Sequence, residues 1–193
     1  MRCEHRAENE KGREKRSQNA LSVAAFTLAV CAAVLRIRAQ TPPLDAVFLP
    51  TPAAVVTAML RMAHVGPGDV VYDLGSGDGR IVIAAVKEFG AARGVGIDLD
   101  ETRNIEAREN ARRAGVDKRV TFVRQSLFDA DLRPATVVTL YMGATVNLKL
   151  RPTLQMQLKA GARVVSQAFD MGDWTPAETR TVEGRPVFLW TIP

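Results

Sequence analysis

Residues 70–80 read VVYDLGSGDGR, an apolar run that reaches an aspartate and then breaks into three glycines spaced two apart. RIVIAAVKEF follows at 80–89 and reads as a helix, with Gly90 just beyond it. A buried strand, a glycine turn and a helix in that order constrain the chain to an α/β fold. The turn would place backbone N–H groups and a helix N-terminus at the carboxyl edge of a sheet, where open α/β sheets hold ligands.

The acids around the glycines narrow the ligand. A dinucleotide fingerprint GxGxxG beginning at Gly75 needs glycine or alanine at position 80, which is Arg80. The spacing is instead DxGxGxG, from Asp73 through Gly75, Gly77 and Gly79, with Ser76 and Asp78 between the glycines. Asp73 and Asp78 would repel a pyrophosphate and suit a cationic ligand end. The next apolar run, ARGVGID, ends at Asp98, 25 residues after Asp73, where a carboxylate can accept from both ribose hydroxyls. S-adenosylmethionine (SAM), a nucleoside with no phosphate and a sulfonium on its amino-acid arm, satisfies all three facts.

The rest of the pattern predicts one Rossmann-like α/β domain over 48–193. Strands are expected at 69–74, 92–98, 119–123, 135–141 and 162–169, alternating with helices that cover both faces. TRTVEG and RPVFLWTI, within 179–192, predict a closing antiparallel hairpin, for seven strands in all. A helix is expected over 51–65, with Thr51 as N-cap and Pro52 in its first position. Another spans 101–115, with acids first, basics last and Gly115 at its end. A short helix is expected over 150–161, with Pro152 in its first turn.

Charge separates the leader from the domain. Residues 1–44 carry eight Lys or Arg against four acids, and residues 45–193 carry eighteen against seventeen. The domain is therefore nearly neutral, and no nucleic-acid partner is expected. Cys3 and Cys31 both precede it, and with His5 and His64 the only histidines no metal site is expected. Residues 1–19 form a charged segment, 20–38 an apolar membrane anchor or signal segment, and 39–47 a linker. The uncharged run at 20–35 is sixteen residues long, between the length of a signal core and that of a spanning helix. The expected location is membrane-associated, or exported after cleavage, or cytoplasmic if the start is misassigned.

YDLGSGDGR and GVGIDLD resemble the SAM motifs of class I, seven-strand methyltransferases. FLPTPAAVV, VTLYMGATVNLKLRP and VVSQAFDMGDW are similar to stretches of the small prokaryotic protein-lysine methyltransferases, whose mitochondrial relatives act on ATP synthase subunit c and the adenine nucleotide carrier. The resemblance implies a protein lysine as acceptor. It puts Asp73 and the three glycines at the methionine end of SAM, Asp98 on the ribose and Leu99 against the adenine. Ser126 and Leu127 would meet the adenine edge, and Thr51 and Pro52 would form a lid or simply start a helix. Tyr141 would aim the amine, and Trp174 would wall the channel with Asp173 beside it. Ser126 and the YMGAT turn depart from the family pattern. The alternatives are a small-molecule or lipid methyltransferase and a SAM-binding protein without turnover.

Overall fold

Val70–Leu74 forms β1, and Val71 and Leu74 bury against opposite faces of the sheet. The structure, a computed structural model, describes residues 49–193. The expected segments 1–19, 20–38 and 39–47 lie outside the described residues. Among those described, no helix is long and apolar enough to cross a membrane.

Six strands join β1: β2 (Arg93–Asp98), β3 (Val120–Arg124), β4 (Val137–Leu140), β5 (Arg163–Gln167), β6 (Glu178–Val182) and β7 (Arg185–Thr191). Their order is β3-β2-β1-β4-β5-β7-β6. The first five run parallel, and β7 pairs antiparallel with both β5 and β6. The chain winds outward from β1 to β3 and then returns to β4 on the other side. The gap at the carboxyl ends of β1 and β4 is thus the switch point where ligands enter such sheets. Register levels the strands there, with Asp73 opposite both Gly96 and Thr139.

Three helices, α1 (Ala53–Met62), α2 (Arg80–Lys87) and α3 (Glu101–Ala114), pack on one face through Met59, Val82 and Ala107 among others. The fourth, α4 (Ala144–Gln157), covers the other face with Leu150 and Leu154, beside Trp190. Each fully buried Val, Leu or Met among them contributes about 1.5–3 kcal/mol. Helix α3 shows why the chain turns where it does. The Asp100 carboxylate accepts from the Thr102 N–H at 2.8 Å, and Gly115 at φ 72° ends the helix.

Two expectations need correction. Helix α1 starts at Ala53, with Pro52 in the cap position at ψ 147° and no side-chain cap. Thr51 precedes a proline, which favours extended backbone, and its side chain is buried instead of capping. Helix α4 starts at Ala144, six residues earlier than expected, because Gly143 at φ 90° breaks the chain out of β4. Pro152 therefore lies inside the helix, where its ring removes the bond that the Leu148 carbonyl would receive. Both residues face solvent, so water can satisfy that carbonyl. Pro152→Ala is expected to raise stability by about 1–3 kcal/mol in urea unfolding, and a loss would show that the proline sets the geometry of α4.

Candidate cofactor and active site

The glycine turn after β1 is fastened to the end of β2. The Gly75 and Ser76 N–H groups donate to the Ile97 carbonyl at 2.8 and 3.1 Å. The Asp98 carboxylate accepts from the Gly77 and Asp100 N–H groups, each at 2.9 Å. Gly79, at φ 78°, turns the chain into α2, and a Cβ there would stand 2.5 Å from the Phe122 ring. Only glycine fits both the dihedral and the contact.

These anchors shape a cleft of about 790 Å³, open mouth included, over the switch point. Asp73, Ser76, Asp98, Leu99, Leu127 and Tyr141 line it. Asp73 lies on the floor, almost fully buried, and accepts from the Thr139 hydroxyl at 2.7 Å. Burial pushes its carboxyl up to about 7; the Thr139 bond opposes the rise, and the Asp98 and Asp78 carboxylates add to it. A cation above Asp73 would offset all three raising effects.

The lining fits SAM part by part. Asp73 and the buried, unpartnered Ser76 Oγ offer acceptors to an ammonium-bearing end. Asp98 retains lone pairs for a ribose diol beyond its two backbone donors. Leu99 and Leu127, with Ile97, supply an apolar slot for a base.

Several expected residues stand elsewhere. Asp78 lines the cleft, but its carboxylate is bound by Arg80 in a bidentate pair, with Nη2 at 2.6 Å. Burial works against its charge, yet the Arg80 guanidinium outweighs that and holds the carboxyl below its usual range. It is thus committed to a protein cation rather than to a ligand. Gly77 and Gly79 serve the turn and are not part of the lining. Ser126 turns back to accept from the Phe128 N–H and caps the 3₁₀ turn Leu127–Asp129, so Gln125 lines the cleft in its place. Pro52 is replaced in the lining by Leu49 and Pro50, with Thr51 also present.

The FDMGDW stretch does not reach the cleft. Trp174 packs on Trp190 with ring centroids 5.7 Å apart, and its carbonyl accepts from the Trp190 indole at 2.7 Å. Asp173 is exposed and pairs with Arg151. Helix α4 holds this loop, because the buried Asn147 amide donates to the Phe169 and Asp170 carbonyls. Of the three residues expected beside the amine, Tyr141 alone lines the cleft, and it stacks on Phe169 at 6.1 Å. Sequence reading missed Arg80, which also donates to the Thr51 carbonyl at 2.8 Å and so ties the arm before α1 to the glycine turn. Its place at the seventh position after the DxG aspartate was visible, but nothing local signalled a partner 29 residues upstream.

Fold and cleft define a class I SAM-dependent methyltransferase. Residues 73–178 match the ANTKMT methyltransferase domain family, and the chain belongs to it. It is 42% identical over 149 residues to the protein-lysine N-methyltransferase of Saccharolobus islandicus, covering 75% of this chain and 92% of that protein. It is 36% identical over 140 residues to the mouse adenine nucleotide translocase lysine N-methyltransferase, covering 72% of this chain and 58% of that protein. The chain thus spans little more than half of that mouse relative. The crystal structure of an RNA methyltransferase from Salinibacter ruber with S-adenosyl-L-homocysteine superposes with a TM-score of 0.74 at 54% identity, over 75% of this chain and 94% of that one.

Asp73 gives the site a pH signature. Its carboxyl is raised from 3.8 to about 7, so the stability it contributes is complete below the lower value and lost as pH rises through the upper. Asp73→Asn keeps an acceptor for Thr139 and removes the charge. The ligand-free variant is expected to gain on the parent from pH 5 to 8, by about 2–3 kcal/mol, in thermal unfolding. It is expected to bind SAM about 10–100-fold more weakly at pH 8 in titration. Parallel pH profiles would show that this charge is not buried.

Proposed function

We propose that this chain transfers the methyl group of SAM to the side-chain amine of lysine in a protein. The observation that carries this reading is the 42% identity to an archaeal protein-lysine methyltransferase along nearly that protein's whole length. The site accords with it. When bound, SAM supplies a methyl group already attached to a sulfonium leaving group. The chain's task is then to hold and aim the amine, so no nucleophile or triad is required.

Tyr141, in the lining and backed by the Phe169 ring, offers an aromatic entry to the cleft. A lysine amine, with an ordinary pKa of about 10.4, must shed its proton before attack, which costs roughly 4–5 kcal/mol at pH 7. An apolar, aromatic entry lowers that pKa by desolvation. Asp73 holds the cationic arm of SAM in place, and Leu99 and Leu127 hold the base.

A second reading, an RNA acceptor, is favoured by the Salinibacter ruber structure alone. Against it stands the near-neutral domain, in which three of the four α3 arginines face their own acids, Arg103 with Glu106, Arg108 with Glu101 and Arg112 with Glu109, and the fourth, Arg113, donates to Asn110. No basic track is left on that helix to follow a phosphate backbone. Incubation of the full chain with methyl-labelled SAM and cell lysate containing membranes separates the readings. Label recovered as methyl-lysine after protein hydrolysis is expected. Label in RNA would install the second reading, and label in lipid or small molecules would overturn both.

The same proposal includes a membrane tether at residues 20–38, supported by the sixteen uncharged residues at 20–35 between basic flanks. A fusion of residues 1–45 to a fluorescent reporter is expected to sediment with membranes and resist high salt. A soluble reporter would remove the tether from the reading.

A further inference from the structure

Four amide and hydroxyl side chains in this domain are buried and carry at least one unpartnered polar atom: Ser76, Asn104, Asn147 and Gln167. Ser76 belongs to the cofactor cleft. Asn104 donates to the Asp98 and Asp100 carbonyls, and Asn147 donates to Ser166, Phe169 and Asp170, so each lacks only its oxygen's partner. Gln167 differs. It is 1% exposed, and both its Oε1 and its Nε2 are without a partner. A fully unsatisfied buried carboxamide is costly, and such groups call for a functional reason.

Its position supplies one. Gln167 is the last residue of β5, and Leu140 of β4 stands opposite Ser166. Gln167 pairs with Val187 of β7, and one step past the last paired residues of β4 and β5 the same register would set it level with Tyr141, on the sheet face where Thr139 bonds Asp73, behind the residues that line the cleft. Ala168 follows at φ 67°, and the Phe169 N–H donates back to the Gln167 carbonyl at 2.9 Å. This is a γ-turn of the rare positive-φ hand, a strained conformation for alanine. The strained turn swings Phe169 onto the Tyr141 ring. An unsatisfied amide, backbone strain and an aromatic stack therefore meet at the carboxyl ends of β4 and β5. The base slot and the Asp73 floor occupy the β1–β3 side of the cleft, so an acceptor must come from this other side.

We propose that Gln167 belongs to the acceptor site, where its Oε1 accepts a hydrogen bond from an N–H of the attacking amine beside Tyr141. The inference rests on the amine reading above and deepens it. In the transfer an N–C bond forms and the S–C bond of SAM breaks. The bonding pair stays on sulfur, which leaves as a neutral thioether, and the surplus amine proton passes to solvent. A neutral primary amine has two N–H groups and a monomethylated one has one, but a dimethylated amine has none to offer Gln167. Gln167 thus favours the first two transfers over the third.

Gln167→Met in the full chain tests this, since it keeps the volume and removes both unpaired polar atoms. The variant is expected to unfold at a higher temperature than the parent and to bind SAM equally well. Titration of n-butylamine, a lysine stem, into the S-adenosyl-L-homocysteine complex is expected to show about 10-fold weaker binding. With poly-L-lysine as acceptor, KM should rise by a similar factor, and mass spectrometry should show a larger trimethyl share of the product. Gln167→Asn, with a shorter amide, should fall between the two and covers the case in which the methionine variant does not fold.

A lower unfolding temperature for both variants would make Gln167 a structural residue and overturn the proposal. So would unchanged amine binding and methyl distribution, or a parent chain that does not bind n-butylamine. If the parent binds n-butylamine through Gln167 yet places no label on protein lysine, the protein acceptor fails while the amine site stands.

Discussion

Two acceptors at the end of β2 hold the site together, the Ile97 carbonyl and the Asp98 carboxylate. A glycine turn leaving a strand carries N–H groups that the sheet ladder no longer serves, and near the core they must be satisfied. Ile97 takes those of Gly75 and Ser76, and Asp98 takes those of Gly77 and Asp100. The turn is thereby fixed to the β1–β2 register, in which Leu74 faces Ile97. Helix α2 then leaves at a set angle, and its first residue, Arg80, reaches both Asp78 and the Thr51 carbonyl. Floor, wall and overlying arm of the cleft all refer back to one strand end.

The central strands were legible in the sequence because burial on both faces demands short apolar runs, such as VVYDL in β1 and VVTL in β4. Asp73 and Asp98 were legible too, since strand ends fix where a side chain emerges. Loops gave no such guide. Ser126 and Gln125 are neighbours, and only the 3₁₀ turn decides that Gln125 meets the cleft. Trp174 and Asp173 share the correct sheet edge, yet Trp190 and Arg151, 16 and 22 residues away in sequence, draw them aside. Pro152 drew the expected start of α4 toward itself, because proline favours first turns. The actual start was set by Gly143 and by the Asn147 N–H bonding back to its carbonyl. Gln167 carried no signal at all, because an amide at the end of an apolar strand reads the same whether its partners exist or not.

The most informative contrast lies within one short stretch of chain. Asp69, just before β1, accepts from the Thr136 hydroxyl at 2.7 Å, from the Gly66 N–H at 2.9 Å, and from Arg163. Burial disfavours its charge, but those bonds prevail and its carboxyl falls below the usual value. Asp73, four residues on, is far more deeply buried, has one hydroxyl and two nearby carboxylates around it, and rises to about 7. The same residue type is thus compensated by donors at the amino edge of the sheet, where it is partly buried, and disfavoured as a charge at the carboxyl edge, where it is fully buried with one hydroxyl donor. The donors gathered at Asp69 have no counterpart at Asp73, on the floor of the cleft.

β5 repeats that asymmetry with uncharged groups. Ser166 receives the Asn147 amide at 2.9 Å, while the next residue, Gln167, leaves its whole carboxamide unpaired. Arg163, at the amino end of the same strand, bonds Asp69 and the Ala63 carbonyl. At the amino ends of β1 and β5, Asp69 and Arg163 bond each other, while at the carboxyl ends Asp73 has a single hydroxyl donor and the Gln167 amide has no partner. The proposed reading puts a cation at Asp73 and a neutral amine at Gln167. Methyl transfer from a sulfonium to an amine needs those two occupants side by side, and the strand order sets β4, with Tyr141 at its tip, between them.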